Sequence, residues 1–284
     1  MRQFVTDCLP DNRGLIELGD KDFKYIRQVL RLKPGDMIKV AFKNGQTADT
    51  TLAKVDDRQK KIILQVCQTQ GNVSDNDSCA GESKQAGCQF VLLQFIPKPQ
   101  KMELIIRQAV EAGVWQVIPV IGEYTQKGSE KSLCAKTGSG SSGRVERIDR
   151  IIKEARQQSG SPINTKVTQP MLLPAALDYI KELCSEKSAE DKSVLRLALY
   201  EKTDGSATMH QAIAKCGQEK IALGIMAVGC EGGISPDELE KLKAADFIPL
   251  HFDINILRCE TASLYGMACM QNAVMECEQW QLKE

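Results

Sequence analysis

The chain has 284 residues, 42% of them hydrophobic, and its 37 Lys and Arg balance 37 Asp and Glu. That length predicts about two domains with a sizeable core, and the neutral balance argues against indiscriminate nucleic-acid binding. The opening "MRQFVTDCLPDNRG" lacks the apolar segment of a secretory signal, and the run "FVLLQFI" at 90–96 is far short of the roughly 20 residues that span a bilayer, so a soluble, cytoplasmic protein with no membrane partner is expected.

Eleven cysteines invite a metal or disulfide reading, but no Cys-x-x-Cys pair occurs and the two histidines, His210 and His251, stand far apart. Ligand spacing carries such an argument, and here it is absent, so no metal is expected. Charge is uneven along the chain: residues 1–70 carry a net +4, 71–100 carry −1, 101–168 carry +4 and 169–284 carry −7. A basic first half fits a surface that meets phosphates on one side.

In chain order, "RQFVT", "DMIKVAF", "TADTTLAKV" and "KIILQV" read as short strands separated by turn signals such as Pro34-Gly35 and Asn44-Gly45. One helical stretch, "KDFKYIRQVLRL", interrupts them, with Phe23, Ile26, Val29 and Leu30 on one face. Residues 1–70 are thus expected to form a small β-barrel with one helix. "GNVSDNDSCAGESKQAG" is too polar to bury anything and makes residues 71–88 a linker or mobile loop. From 89 to 284 strands alternate with helices, as an α/β domain with a mostly parallel sheet requires. "FVLLQFI" precedes a helix near 101–112, then come the strand "WQVIPVI" and the helix "RVERIDRIIKEARQQ". "VLRLALY", a helix near 207–215, "IALGIMAV", the helix "PDELEKLKAA", "FIPLHF" and a final helix from about 260 to 278 complete the series.

Two stretches repeat one grammar of strand, loop and helix. In "IALGIMAVGCEGGISPDEL", Ser235 and Glu238 form a capping box with Pro236 at the first helical position. Gly229, Gly232 and Gly233 therefore fall at the carboxyl end of a strand, where open α/β sheets place ligands. In "HFDINILRCETASLYGMA" the helix begins near Cys259-Glu260 or Thr261, and Arg258 just before it is poised for an anionic group. Neither stretch is a dinucleotide fingerprint, which sets a nucleotide-dependent oxidoreductase far behind the other readings.

The ordered segments "YIRQVLRLKPGD", "PKPQKMELIIRQAVEAGVWQVIPV", "EARQQSGSP", "GCEGGISPDELE" and "NILRCETASL", after "RQFV" at the start, resemble the bacterial small-subunit (16S) ribosomal RNA uridine N3-methyltransferases, the RsmE family of the SPOUT superfamily. The resemblance covers residues 2 to about 275. It implies an N-terminal PUA-like, RNA-binding β-barrel followed by an α/β SPOUT domain with a C-terminal trefoil knot over about 195–275, and it implies a homodimer. It implies S-adenosyl-L-methionine as cofactor, walled by Leu199 and Tyr200, by Val228, Gly229, Glu231, Gly232 and Gly233, and by Ile254, Ile256, Leu257, Cys259 and Ala262. The implied partner is 16S ribosomal RNA or the assembled small subunit.

Loss of the N3 proton from uridine leaves negative charge that an arginine stabilises, which makes Arg258 the first catalytic candidate, with Glu260 and Glu231 to orient it or accept a proton. The two histidines lie outside the matched motifs and are read as structural. Arg2, Arg27, Arg31, Lys101, Arg144 and Arg156 are the expected phosphate contacts. The chain departs from the family pattern where "GCEGG" stands for "GPEGG", where Phe252, Asp253, Ile254 and Asn255 replace a glycine-containing turn, where Cys259 replaces a threonine and where Tyr124 replaces an arginine. These departures favour a competing reading, an RNA-binding SPOUT fold with altered or lost catalysis.

Overall fold

The computed structural model describes residues 3–42, 46–67, 87–133, 142–187, 192–203, 205–215 and 220–280. The expected linker at 71–88 lies outside them apart from Gly87 and Cys88, as does Arg2. The chain divides into two compact units, one formed by Met1–Lys84 with Arg156–Asn164, the other by Gln85–Ala155 with Thr165–Glu284.

In the first unit, β1 (Gln3–Thr6), β2 (Leu15–Gly19), β3 (Met37–Phe42), β4 (Thr47–Asp56) and β5 (Lys61–Val66) form a sheet in the order β1-β3-β4-β5-β2. β1 and β3 are parallel and the other pairs antiparallel. Alternation along β2 and β5 turns Ile16, Leu18, Ile62 and Leu64 into a core with Phe4, Val40 and Leu52, all at most 1% exposed. α1 (Asp20–Lys24) runs directly into a π-helical turn, Tyr25–Val29, which closes the core with Phe23 and Ile26. Val29, expected on that buried face, is 58% exposed, because the wider π turn shifts the helical phase. The segment 156–164 joins this unit: Gln3 Nε2 donates to the Ser161 carbonyl at 3.4 Å and Gln157 Nε2 to that of Val5 at 3.5 Å.

The second unit contains β6 (Gln89–Phe95), α2 (Pro99–Glu111), β7 (Gln116–Ile121), most of α3 (Ser142–Ser159), β8 (Lys166–Val167), β9 (Met171–Leu172), α4 (Leu173–Lys187) and β10 (Lys192–Leu199). It continues with α5 (Met209–Lys215), β11 (Lys220–Val228), α6 (Pro236–Ala244), β12 (Ile248–Leu250) and α7 (Cys259–Trp280). Among the described residues its sheet has the order β12-β10-β11-β6-β7-β8, with β9 also on β7, and every pair is parallel. Helices cover both faces, so the strands are largely apolar rather than alternating regularly with polar residues. On β6, Phe90 and Leu92 pack toward α2, α3, α5 and α7, whereas Val91, Leu93 and Phe95 pack toward α4 and α6. β2, β8, β9 and α4 lie outside the expected set of elements.

The Ser235–Glu238 capping box is present in both directions: Glu238 N–H donates to Ser235 Oγ at 3.3 Å, and Ser235 N–H to Glu238 Oε2 at 2.9 Å. The same carboxylate accepts the Glu123 amide at 2.7 Å, which ties the start of α6 to the loop after β7. No helix among the described residues is long and apolar enough to cross a membrane.

Candidate active site

In open α/β sheets the strand order reverses where a ligand crevice opens beyond the carboxyl ends. Here β6, β11 and β10 end side by side, and beyond β10 and β11 lies a pocket of about 370 Å³, within the ~300–1,000 Å³ common for small-molecule sites. Leu199, Tyr200 and Glu201 supply the wall at the exit of β10, and Val228 to Glu231 with Gly233 and Ile234 supply a second at the exit of β11. The third comes from the loop before α7 and its first turn: His251, Phe252, Ile254, Asn255, Ile256, Leu257, Arg258, Cys259 and Ala262.

The glycine turn is tight because backbone passes backbone. A β-carbon on Gly229 would lie 2.5 Å from the Gly233 carbonyl carbon, and Gly233 itself has φ +78, open to glycine without strain. Gly232 does not line the pocket; a β-carbon there would lie 2.7 Å from Tyr124 Cβ, so Tyr124 rests on the turn from outside. Burial, reinforced by the Glu123 carboxylate, raises the Tyr124 phenol above its ordinary value.

Gln94, which interrupts the apolar run of β6 in the sequence, is fully buried and joins the walls. Its Nε2 donates to the carbonyls of Phe95 at 2.9 Å, Gly229 at 3.2 Å and Val228 at 3.3 Å, and its Oε1 accepts the Ser263 hydroxyl at 2.6 Å. Ser263 also lies 2.8 Å from the Cys259 carbonyl, which secures the first turn of α7. Gln94→Leu keeps the volume and strands these carbonyls, so we predict a loss of about 1–3 kcal/mol in urea unfolding, together with weaker ligand binding in the pocket measured by calorimetry.

α7 begins at Cys259, and Arg258 stands exposed before it at the pocket wall, with no ion pair among the described residues. Glu260, one residue into the helix, lies 3.2 Å from Lys101 Nζ and accepts the Cys259 thiol at 3.2 Å. Burial works to raise the Glu260 carboxyl, but its own backbone amide, the Cys259 thiol and the Lys101 ammonium outweigh it and hold it below the ordinary value. Cys259 is pushed up to about 12, by burial first and then by its bond to Glu260, so it is a neutral thiol rather than a nucleophile. His251 also reaches the pocket, with Nδ1 3.2 Å from the Tyr200 carbonyl. Nothing in the spacing of the two histidines marks this position.

The expected phosphate contacts differ in their surroundings. Arg27 donates to the Leu32 carbonyl at 2.9 Å and lies 3.8 Å from Asp57, whereas Arg31 is exposed with φ +56. Arg144 lies on α3, with its side chain outside the described residues. Two expectations are corrected. Lys101 belongs to the pocket, engaged by Glu260 at 3.2 Å and Glu231 at 3.5 Å, rather than to an open basic surface. Arg156 is 1% exposed, its Nη1 donating to Asn164 Oδ1 at 3.2 Å and Nη2 to the Pro162 carbonyl at 3.4 Å, and desolvation lowers its pKa. A guanidinium so enclosed cannot meet a phosphate. Among the described residues, no group of three or more His, Cys, Asp or Glu side chains is placed to hold a metal.

Comparison with known proteins matches this arrangement along nearly the whole chain. "Ribosomal RNA small subunit methyltransferase E" of Buchnera aphidicola is 28% identical over 270 residues, spanning 95% of this chain and 92% of its own. The protein of the same name from Bacillus subtilis is 24% identical over 257 residues, 88% of this chain and 87% of its own. Among solved structures, ribosomal RNA small subunit methyltransferase E of Neisseria gonorrhoeae, crystallised with S-adenosyl methionine, superposes with a TM-score of 0.68 at 22% identity, over 96% of this chain and 97% of the other. A putative methyltransferase of Legionella pneumophila with bound SAM gives 0.67 at 20% identity, over 96% of each chain, and these two likenesses establish the shared fold. The family model for an RNA methyltransferase PUA domain covers residues 18–65, within the first unit. The pocket and its three walls lie inside residues 84–271, which match the model for the RNA methyltransferase domain over more than half the chain, and the protein therefore belongs to that family.

Proposed function

We propose that this chain is an S-adenosyl-L-methionine-dependent methyltransferase that modifies N3 of a uridine in small-subunit (16S) ribosomal RNA. The observation that carries the reading is the convergence of the β10 exit, the glycine turn and the Ile254–Ala262 segment on one pocket with Arg258 at its wall. The names of the relatives support the substrate, and two structural neighbours carry the cofactor.

The pocket's chemistry fits that cofactor. Leu199, Ile256, Leu257 and Ala262 offer apolar surface to a purine, the glycine turn brings main-chain groups close, and Glu201 and Glu231 offer carboxylates to positively charged groups. Val228, Gly229, Gly233, Tyr200, Ile254 and Cys259 complete the proposed contact set, with Gly232 shaping the turn from behind. When bound, the cofactor supplies a methyl group activated by a sulfonium. In the transfer a carbon–N3 bond forms as the carbon–sulfur bond breaks, the bonding pair goes to sulfur, and the N3 proton must leave. Arg258 stabilises the charge that develops over the imide, and Glu260 or Glu231 accepts the proton or orients Arg258.

The retained pocket favours this reading over an RNA-binding protein without catalysis, since the "FDIN" and "GCEGG" departures leave its walls in place. The same reading carries a trefoil knot over about 195–275, a cytoplasmic location and a homodimer. The exposed Leu264, Tyr265 and Met275 on α7 support the dimer, and sedimentation at twice 31.4 kDa is its expected signature. RNA contact falls to the first unit, through Arg2, Arg27 and Arg31, with Arg144 on α3.

The test is transfer from labelled S-adenosylmethionine to small subunits lacking the modification, with nucleoside mass spectrometry of the product. N3-methyluridine is the expected product. Cofactor binding without product on these subunits assigns the chain to the binding-only reading or to another RNA.

A further inference from the structure

Lys101 is the third residue of α2, where the helix macrodipole opposes a cation. Its Nζ lies 3.2 Å from Glu260 and 3.5 Å from Glu231, and it donates to the Cys259 sulfur at 3.8 Å. Glu231 Oε1 also accepts the Lys98 amide at 3.3 Å, so one carboxylate of the glycine turn caps α2 and holds its lysine. The ammonium is thus placed against the first turns of both α2 and α7, and the two carboxylates hold it there. Burial pulls Lys101 toward neutrality, yet Glu260, Cys259 and Glu231 together raise it above its ordinary value, so it stays charged and serves neither as a base nor as a free phosphate contact.

We infer that Lys101 is a positioning residue for methyl transfer: it straps Glu231 of the glycine turn to Glu260 of α7 and so fixes both carboxylates at the pocket. The inference rests on the methyl-transfer reading above. An isolated, half-exposed ion pair contributes little to stability, but this one joins three separate segments of the pocket. It fixes the spacing of two walls and the negative charge offered to a cationic ligand and to a departing proton. Charged and titratable groups around Glu260 are Lys101 from α2, Glu231 from the glycine turn and Cys259 from its own helix. Arg258, Glu201 and His251 line the same pocket.

The experiment compares full-length wild type with Lys101→Met, Lys101→Arg and Glu260→Gln in two arms. In the first, methyl transfer is followed against pH. Lys101→Met lowers kcat by about a hundredfold, the scale of a misplaced reacting group, and moves the acid limb of the profile upward; Lys101→Arg keeps the wild-type limb; and Lys101→Met changes little further in the Glu260→Gln background. A loss equal at every pH, or full additivity of the two substitutions, overturns the inference.

The second arm uses ligand-free protein and reads Tm against pH. Because the folded Glu260 carboxyl is depressed, its contribution is complete above the ordinary carboxylate range, about pH 5, and is lost as pH falls through the depressed value. Wild type therefore exceeds Lys101→Met in Tm near neutrality, and the gap closes on acidification. A gap that stays constant overturns the strap without touching the methyl-transfer reading. Absence of product from wild type overturns that reading and leaves this arm to decide on Lys101. Should Lys101→Met fail to fold, Glu260→Gln gives the test from the other side, since it must lose the same pH-dependent part of Tm.

Discussion

Arg258→Ala lowers kcat for methyl transfer by about 10²–10³-fold, the scale of losing one preorganised group aimed at developing charge, while the KM for S-adenosylmethionine moves by less than about tenfold. The reasoning runs from position to charge. Arg258 immediately precedes α7, has no ion pair among the described residues and lines the pocket, so its guanidinium is free for an anion that exists only as the N3 proton leaves. A substitution that removes charge stabilisation belonging to the transition state lowers kcat and kcat/KM together. Single-turnover rates on unmodified small subunits, with Arg258→Lys alongside, measure it. Partial recovery with lysine is expected, since it restores the charge without the planar fork. A normal kcat with raised KM in Arg258→Ala removes Arg258 from catalysis and assigns it to substrate binding.

Gly229→Ala weakens S-adenosylmethionine binding by about tenfold to a hundredfold, the equivalent of roughly 1–3 kcal/mol of overpacking. The new β-carbon would meet the Gly233 carbonyl carbon at 2.5 Å and its Cα at 2.7 Å, main-chain atoms that cannot rotate away as a side chain can. The turn must open, and with it one wall of the pocket. Gly233→Ala is the informative contrast: no atom lies within 4 Å of its added carbon, and the cost is that of a left-handed φ, about 1–2 kcal/mol. Calorimetric titration of both variants separates the effects, and wild-type affinity in Gly229→Ala would show that the turn does not shape the ligand site.

Much of the architecture follows from periodicity alone. The capping box at Ser235 and Glu238 set the start of α6, and the largely apolar strands implied a sheet covered on both faces. α4 was equally legible in retrospect: Leu173, Ala176, Ile180 and Leu183 keep a helical period and are all buried. β2 is harder to see, because five residues alternating around Glu17 barely exceed a turn. Within the site, charge misled where period would have helped. Arg156 follows Ile152 by four residues and so shares the buried face of α3, and Lys101 precedes Ile105 by four on α2. Gln94 resisted reading for a different reason. A glutamine in an apolar strand looks like an interruption until the carbonyls of Val228 and Gly229, more than 130 residues away in sequence, are placed beside it.

The division of the chain bears on how such a protein is exchanged piece by piece. Residues 156–164 belong to the first unit although the sequence on both sides belongs to the second, so the polypeptide crosses between units again long after residue 84. Gln3 and Val5 bond to Ser161 and Gln157, and Arg156 is buried there. A first unit transplanted as residues 1–84 leaves nine of its own residues behind, and the donor of a replacement must match a surface it never encoded. Recombination between relatives is therefore expected to succeed when the cut takes both stretches together, and to yield insoluble chimeras when it treats the first unit as one contiguous cassette.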